Sequence, residues 1–180
     1  MLIILLGASG SGKTTIEKIL ETSGIHRLRS HTTRAKKSGE AEDAYYFVTI
    51  PEFKKADIVE SVLYKNNFFG LSRPEVKIAE HKDCIVTLDW HGAEQIKRLF
   101  PFAATIYLDC PMYQLEKRLL PQLDSQKRIK ILAQIEIDSK CQYDCDYIVL
   151  NYDTQLGEAS ARILEIYHEH KKRLGLVTLT

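Results

Sequence analysis

Residues 7–14 read Gly-Ala-Ser-Gly-Ser-Gly-Lys-Thr, an unbroken match to G-x-x-x-x-G-K-[S/T]. The apolar run Leu2–Leu6 comes directly before it, and a helical pattern opens near Thr14. Few folds accommodate that arrangement. Glycines let the backbone curl so that its N–H groups point inward at an anion, and a helix opening there adds its partial positive charge. The loop therefore needs a buried strand to anchor it and a helix to close it. Lys13 is placed for β- and γ-phosphates, and the Thr14 hydroxyl for Mg²⁺. The spacing predicts a nucleoside triphosphate site over Gly7, Ser9, Gly10, Ser11, Gly12, Lys13, Thr14 and Thr15. It does not say what becomes of the phosphate, because switch GTPases, motor ATPases and small-molecule kinases share this loop.

The remaining pattern agrees with an α/β fold. Leu2–Leu6 and Cys84–Leu88 are continuous apolar runs rather than alternating ones, and Ala103–Leu108 and Tyr147–Leu150 are similar. Such runs suit strands buried on both faces of a parallel sheet. Helical periodicity lies between and after them, over Thr14–Thr22, Gly92–Leu99, Met112–Leu119, Ser125–Ser139 and Leu156–Arg173. The expectation is a three-layer fold with a parallel central sheet and right-handed crossovers. Residues 30–80 break the rhythm with short strand-like pieces (Tyr45–Val48, Ile58–Leu63), a Pro-led helix start at Pro51 and an Asn66-Asn67 turn. They read as an inserted mixed α+β subdomain within one domain spanning 1–180.

Charge adds a second clue. From Arg27 to Lys37 there are five Lys or Arg residues and no acid, in a chain of net charge +1. The near-neutral whole argues against nucleic acid as a partner, since counterion release needs many uncompensated cations. Leu2–Leu6 is too short for a signal peptide, and no run approaches the ~20 apolar residues of a membrane span. Cytoplasm is the expected compartment. Cys84 and Cys110 lie in strand-like stretches and read as buried thiols, and Cys141 and Cys145 lack the further ligands of a zinc site. His168 and His170, on a charged C-terminal helix, read as solvated.

The basic stretch Ser30-His-Thr-Thr-Arg34, followed by Gly39-Glu40 and Tyr45-Tyr-Phe-Val48, resembles the guanylate kinase signature. The likeness continues through Glu60, Asn67-Phe-Phe-Gly70, Leu88-Asp-Trp-His-Gly92 and Asp146-Tyr-Ile-Val-Leu-Asn151, in order and over nearly the whole chain. The resemblance implies a P-loop NTPase fold in which 30–80 is the nucleoside-monophosphate-binding subdomain, with ATP as donor, Mg²⁺ as cofactor and GMP as acceptor. By motif position Arg34 would clamp the acceptor phosphate, helped by Lys37 and the Tyr45 hydroxyl, while Ser30 and Glu60 would face the base. The residue types suit those roles. A guanidinium offers phosphate a bidentate fork, and a carboxylate can accept from the N1–H and amino group of guanine. Gly92 and Asp89 complete the implied acceptor site, and Asp89, ending an apolar stretch, either orients Mg²⁺ through water or caps a helix.

Four positions depart from the family. Lys37 stands where an Arg is usual, Phe69 where a phosphate-binding Tyr is usual, Leu71 where a small hydroxyl residue touches the base, and Thr87 where an Asp is usual. The lid, 118–130, is short and lacks the Arg-Gly pair expected after Arg118. Arg118 is then the implied packing partner of adenine, Arg128 the arginine on the transferring phosphate, and Asn151 a neighbour of adenine. Lys13, Arg34 and Arg128 would neutralise the charge of transfer. Two other readings stay open: the same reaction on another nucleotide or a phosphosugar such as ribose 1,5-bisphosphate, and a non-catalytic binding module. The expected partners are small molecules only, bound by a monomer or homodimer.

Overall fold

The computed structural model describes residues 1–119, 121, 125–152 and 156–176. Its central sheet has five parallel strands in the order β2-β7-β1-β8-β9: β1 (Leu2–Leu6), β2 (His26–Arg27), β7 (Cys84–Thr87), β8 (Ala104–Asp109) and β9 (Tyr147–Leu150). Register sets Leu5 opposite Thr87 and Leu6 opposite Tyr107. All five side chains of β1 are buried, each worth about 1.5–3 kcal/mol relative to exposure. They are shared between two cores, because successive residues of a strand point to opposite faces. Leu2, Ile4 and Leu6 join Ala93 and Ile96 of α4 (Trp90–Leu99). Ile3 and Leu5 join Ile16 and Leu20 of α1 (Lys13–Thr22) and Ile163 and Ile166 of α7 (Leu156–Arg173). That is the three-layer α/β arrangement expected from the continuous apolar runs.

Within residues 30–80 lies a second sheet, ordered β4-β3-β6-β5: β3 (His31–Thr32), β4 (Tyr46–Phe47), β5 (Ile58–Tyr64) and β6 (Asn67–Ser72). β3 pairs with β4 in parallel and with β6 antiparallel, and β5 and β6 form a hairpin. Here the structure departs from the sequence reading. The hairpin turns on Lys65 and Asn66, both left-handed (φ 49° and 61°), so Asn67 is already in the strand rather than in the turn. Two adjacent left-handed residues match the twist of the flanking strands, and Asn tolerates that conformation. The β4 pairing is shorter than Tyr45–Val48. α2 (Ile50–Lys55) begins one residue before Pro51, on a Thr49–Glu52 capping box. α3 (Arg73–Lys77) follows β6 directly.

α5 (Met112–Leu119) and α6 (Ser125–Ser139) flank the expected lid, of which residues 120 and 122–124 lie outside the described residues. α4 starts two residues before Gly92 because Asp89 caps it, Oδ1 accepting from the Gly92 N–H at 2.8 Å. Trp90 packs against the core. One expectation is corrected outright: His170 is buried, not solvated, between the Tyr147 hydroxyl (3.0 Å) and the Phe102 carbonyl (3.2 Å). It lies one turn beyond Ile166 on the apolar stripe of α7, where its burial lowers the imidazole pKa. No described helix is long and apolar enough to cross a membrane.

Candidate functional site

The carboxyl ends of β1, β7, β8 and β9 open onto one edge of the central sheet, the edge at which ligands bind in parallel α/β folds. The loop between β1 and α1 occupies it. Gly7, Gly10 and Gly12 all have positive φ, and a Cβ on Gly7 would come within 2.6 Å of the Leu108 carbonyl oxygen. No side chain fits there without moving β8. Gly12 is itself the N-cap of α1, so the helix begins at Lys13 rather than Thr14. The Lys13 ammonium folds back over the loop, donating to the carbonyls of Gly7 (2.6 Å) and Ala8 (2.8 Å). Thr14 and Thr15 are exposed on the first turn, and Ser11 is buried inside the loop.

Two distant side chains tie this loop down. Asn151, just after β9, is fully buried and donates from Nδ2 to the Ser11 carbonyl at 2.6 Å. Arg118, in the last turn of α5, donates to the Gly10 carbonyl at 2.8 Å. Both thus hold the loop's backbone. Arg128 is exposed near the start of α6.

The basic stretch is internally engaged. Arg27 contacts Asp43, Arg29 lies over the Tyr46 ring at 4.5 Å, and Lys36 pairs with Glu42. Arg34 meets Glu40 in a two-pronged ion pair of 2.7 and 3.0 Å. That hydrogen-bonded guanidinium holds the Glu40 carboxyl below its ordinary pKa. Glu40 also accepts from the Lys37 backbone N–H, while the Lys37 residue is exposed. The Arg34 guanidinium lies 5.4 Å from the Tyr45 ring centre, and Tyr45 packs edge-on against Phe69. Burial and the nearby Glu17 carboxyl raise the Tyr45 pKa. Ser30 is half-buried, its carbonyl accepting from the Tyr46 N–H. Arg34, Tyr45 and Phe69 therefore stand together, with Glu40, a signature residue given no role by motif position, as a partner.

Glu60 forms a deeper wall. A bulge between Ile58 and Glu60 turns this side chain inward, leaving it 2% exposed. It lies so close to Gly92 that a Cβ there would meet Oε1 at 2.6 Å, and its other oxygen has no hydrogen-bond donor among the described residues. Burial first, and then the Asp89 charge, push the Glu60 carboxyl up from 4.5 to about 7. Leu71, expected at the same wall, is instead 0% exposed and belongs to the core cluster that holds Val76 and Val86. It is the direct cross-strand partner of Glu60 in the β5–β6 hairpin.

Thr87, ending β7, meets a residue the sequence reading passed over. Glu17 on α1 is 7% exposed and lies beside Thr87, whose buried hydroxyl has no hydrogen-bond partner among the described residues. Burial raises its pKa, while Thr87 and the charges of Arg27 and Lys13 oppose the rise. One signal was available: Glu17 directly follows the buried Ile16, on the stripe that continues to Leu20. Among the described residues no three His, Cys, Asp or Glu side chains cluster as a metal site.

Comparison with known proteins gives a consistent answer. Residues 1–169 match the family model described as guanylate kinase. A guanylate kinase of Hydrogenovibrio crunogenus is 34% identical over 171 residues, covering 87% of this chain and 83% of that protein. One from Synechocystis is 34% identical over 182 residues, covering 94% of each. A crystal structure of guanylate kinase from Anaplasma phagocytophilum, 23% identical, superposes with a TM-score of 0.72 over 93% of this chain and 85% of that one. At that identity the last likeness speaks for the fold.

Proposed function

The chain belongs to the guanylate kinase family, and we propose that it transfers the γ-phosphoryl group of ATP to GMP, giving ADP and GDP. The observation that carries GMP as acceptor is the buried Glu60 carboxyl beside Gly92 and Asp89. In its ionised form it accepts from the N1–H and amino group of guanine, a pattern adenine lacks. A site of buried polar groups rejects a base that leaves them unpaired.

The reaction follows from the two halves of the site. Gly7–Thr15 cradles the ATP phosphates through backbone N–H groups, with Lys13 moving from the Gly7 and Ala8 carbonyls onto the β- and γ-oxygens. Arg118 and Asn151 keep the loop in shape for ATP. Arg34, Lys37 and Tyr45 hold the acceptor phosphate, and Ser30, Glu60 and Asp89 hold the base, with Gly92 leaving room for Glu60. An acceptor-phosphate oxygen attacks the γ-phosphorus as the bond to the β–γ bridging oxygen breaks, and ADP departs with that oxygen's electron pair. Lys13, Arg34 and Arg128 balance the equatorial charge. Closure of the 30–80 segment over the loop excludes water and so protects ATP from hydrolysis.

The residues present suit Mg²⁺. An exposed Thr14 hydroxyl, with Asp89 reaching through water, matches an ion that keeps several waters and takes phosphate oxygens rather than an all-protein cage. When bound, it neutralises charge on the β- and γ-phosphates. We place the enzyme in the cytoplasm.

Phe69, Leu71 and Thr87 are the changes that favour a different acceptor. A coupled ADP-release assay over GMP, dGMP, AMP, UMP, CMP, IMP and pentose phosphates decides the matter. GMP is expected to stimulate most. Release driven best by a pentose phosphate would replace the acceptor, and release driven by none would replace kinase with binding module.

A further inference from the structure

In P-loop enzymes Mg²⁺ is held by the loop hydroxyl and by an acid at the end of a neighbouring strand. Here that strand is β7, paired directly with β1, and it ends at Thr87, where the family resemblance leads one to expect Asp. Asp89, two residues on, spends Oδ1 on capping α4 and directs its charge at Glu60. The strand end itself, at Thr87, therefore lacks a carboxylate, and Asp89 reaches the ion only through water.

A buried carboxylate does stand on the facing helix. Glu17 lies three residues after Thr14 and four after Lys13 on α1, hence on their side of the helix. It is buried against Thr87, in reach of the charges of Lys13 and Arg27 and of the Tyr45 phenol. A buried acid is costly unless charge completes its surroundings. We propose that Glu17 is a second carboxylate of the magnesium site beside Asp89, standing on α1 in place of an acid at the end of β7 and orienting the water shell of the phosphate-bound ion. Burial raises its pKa in the free protein, and a divalent cation nearby would restore the ionised form. Glu17 acts through water and is a positioning residue.

The inference rests on the kinase reading, and its test separates the two. Mn²⁺ binding to the ADP-loaded protein, followed by electron paramagnetic resonance, needs no acceptor and no turnover. Glu17→Gln preserves shape but removes the charge. It is expected to weaken Mn²⁺ binding about tenfold or more, the scale on which outer-shell partners act, and to lower kcat while leaving KM for GMP within about twofold. Returning a carboxylate to the strand end in E17Q/T87D is expected to recover Mn²⁺ binding. Unchanged Mn²⁺ affinity in E17Q would overturn the proposal. So would a loss that T87D fails to repair at all, since packing rather than charge would then be responsible. A wild-type protein that binds Mn²⁺ with ADP yet never phosphorylates GMP would sink the acceptor reading and leave Glu17 in place.

Discussion

The loop at Gly7–Thr14 presents backbone to its ligand, whereas the wall around Arg34 and Glu60 presents side chains gathered from β5, β6, the start of α4 and the segment before β4. The loop's shape is enforced by positive-φ glycines and by ties to Asn151 and Arg118, so it is preformed. The wall is a set of mutual engagements, Arg34 with Glu40 and Glu60 with Gly92 and Asp89, each of which the proposed acceptor would rearrange or complete. A donor site made of backbone tolerates side-chain variation. An acceptor site made of side chains can change its substrate by a few substitutions.

That contrast can be broken from the donor side first. Lys13→Ala removes the side chain proposed to meet the β- and γ-phosphates, and kcat is expected to fall by roughly 10³-fold with little change in melting temperature. Turnover at the wild-type rate would dissolve the donor assignment. On the acceptor side, Arg34→Ala is expected to lower kcat/KM for GMP by about 10²-fold, through both constants, with KM for ATP nearly constant. An effect confined to ATP would move Arg34 to the other half.

The smallest effect tests the wall by pH. The Glu60 carboxyl titrates near 7 instead of 4.5, so below neutrality it holds a proton and cannot accept both guanine donors. KM for GMP is expected to be about tenfold higher at pH 6 than at pH 8, a dependence that Glu60→Gln should abolish. Stability runs the opposite way. Between 4.5 and about 7 the folded form retains a proton that the unfolded form has lost, so stability falls as pH rises through that window. E60Q should remove that fall in thermal melts. A flat KM profile in the wild type would place Glu60 away from the base.

The same contrast explains what could be read from sequence. β1 and β7 are buried on both faces, so their runs are apolar throughout and stand out, and the loop motif lies between fixed landmarks. β6 was hidden because Lys65, not Asn67, takes a left-handed turn position, which shifts the hairpin by one residue. His170 and Glu17 were obscured for a common reason: a polar residue on a helix is ordinarily solvated, and only what packs across from it, β9 and the turn before β8 in one case and β7 in the other, reveals the burial. Motif position named both Arg34 and Glu40 but gave a role only to Arg34; that of Glu40 comes from folding back six residues to meet it.

The Arg34–Glu40 pair has a bearing on the conditions the enzyme meets. In the proposed reaction the acceptor phosphate does not find a bare cation but takes over one that already has an anionic partner of the same bidentate geometry. Binding at Arg34 is then an exchange, and its free energy is the difference between two similar ion pairs. Added salt screens both sides of that exchange nearly equally, so the grip on the acceptor phosphate is buffered against swings in cellular ionic strength.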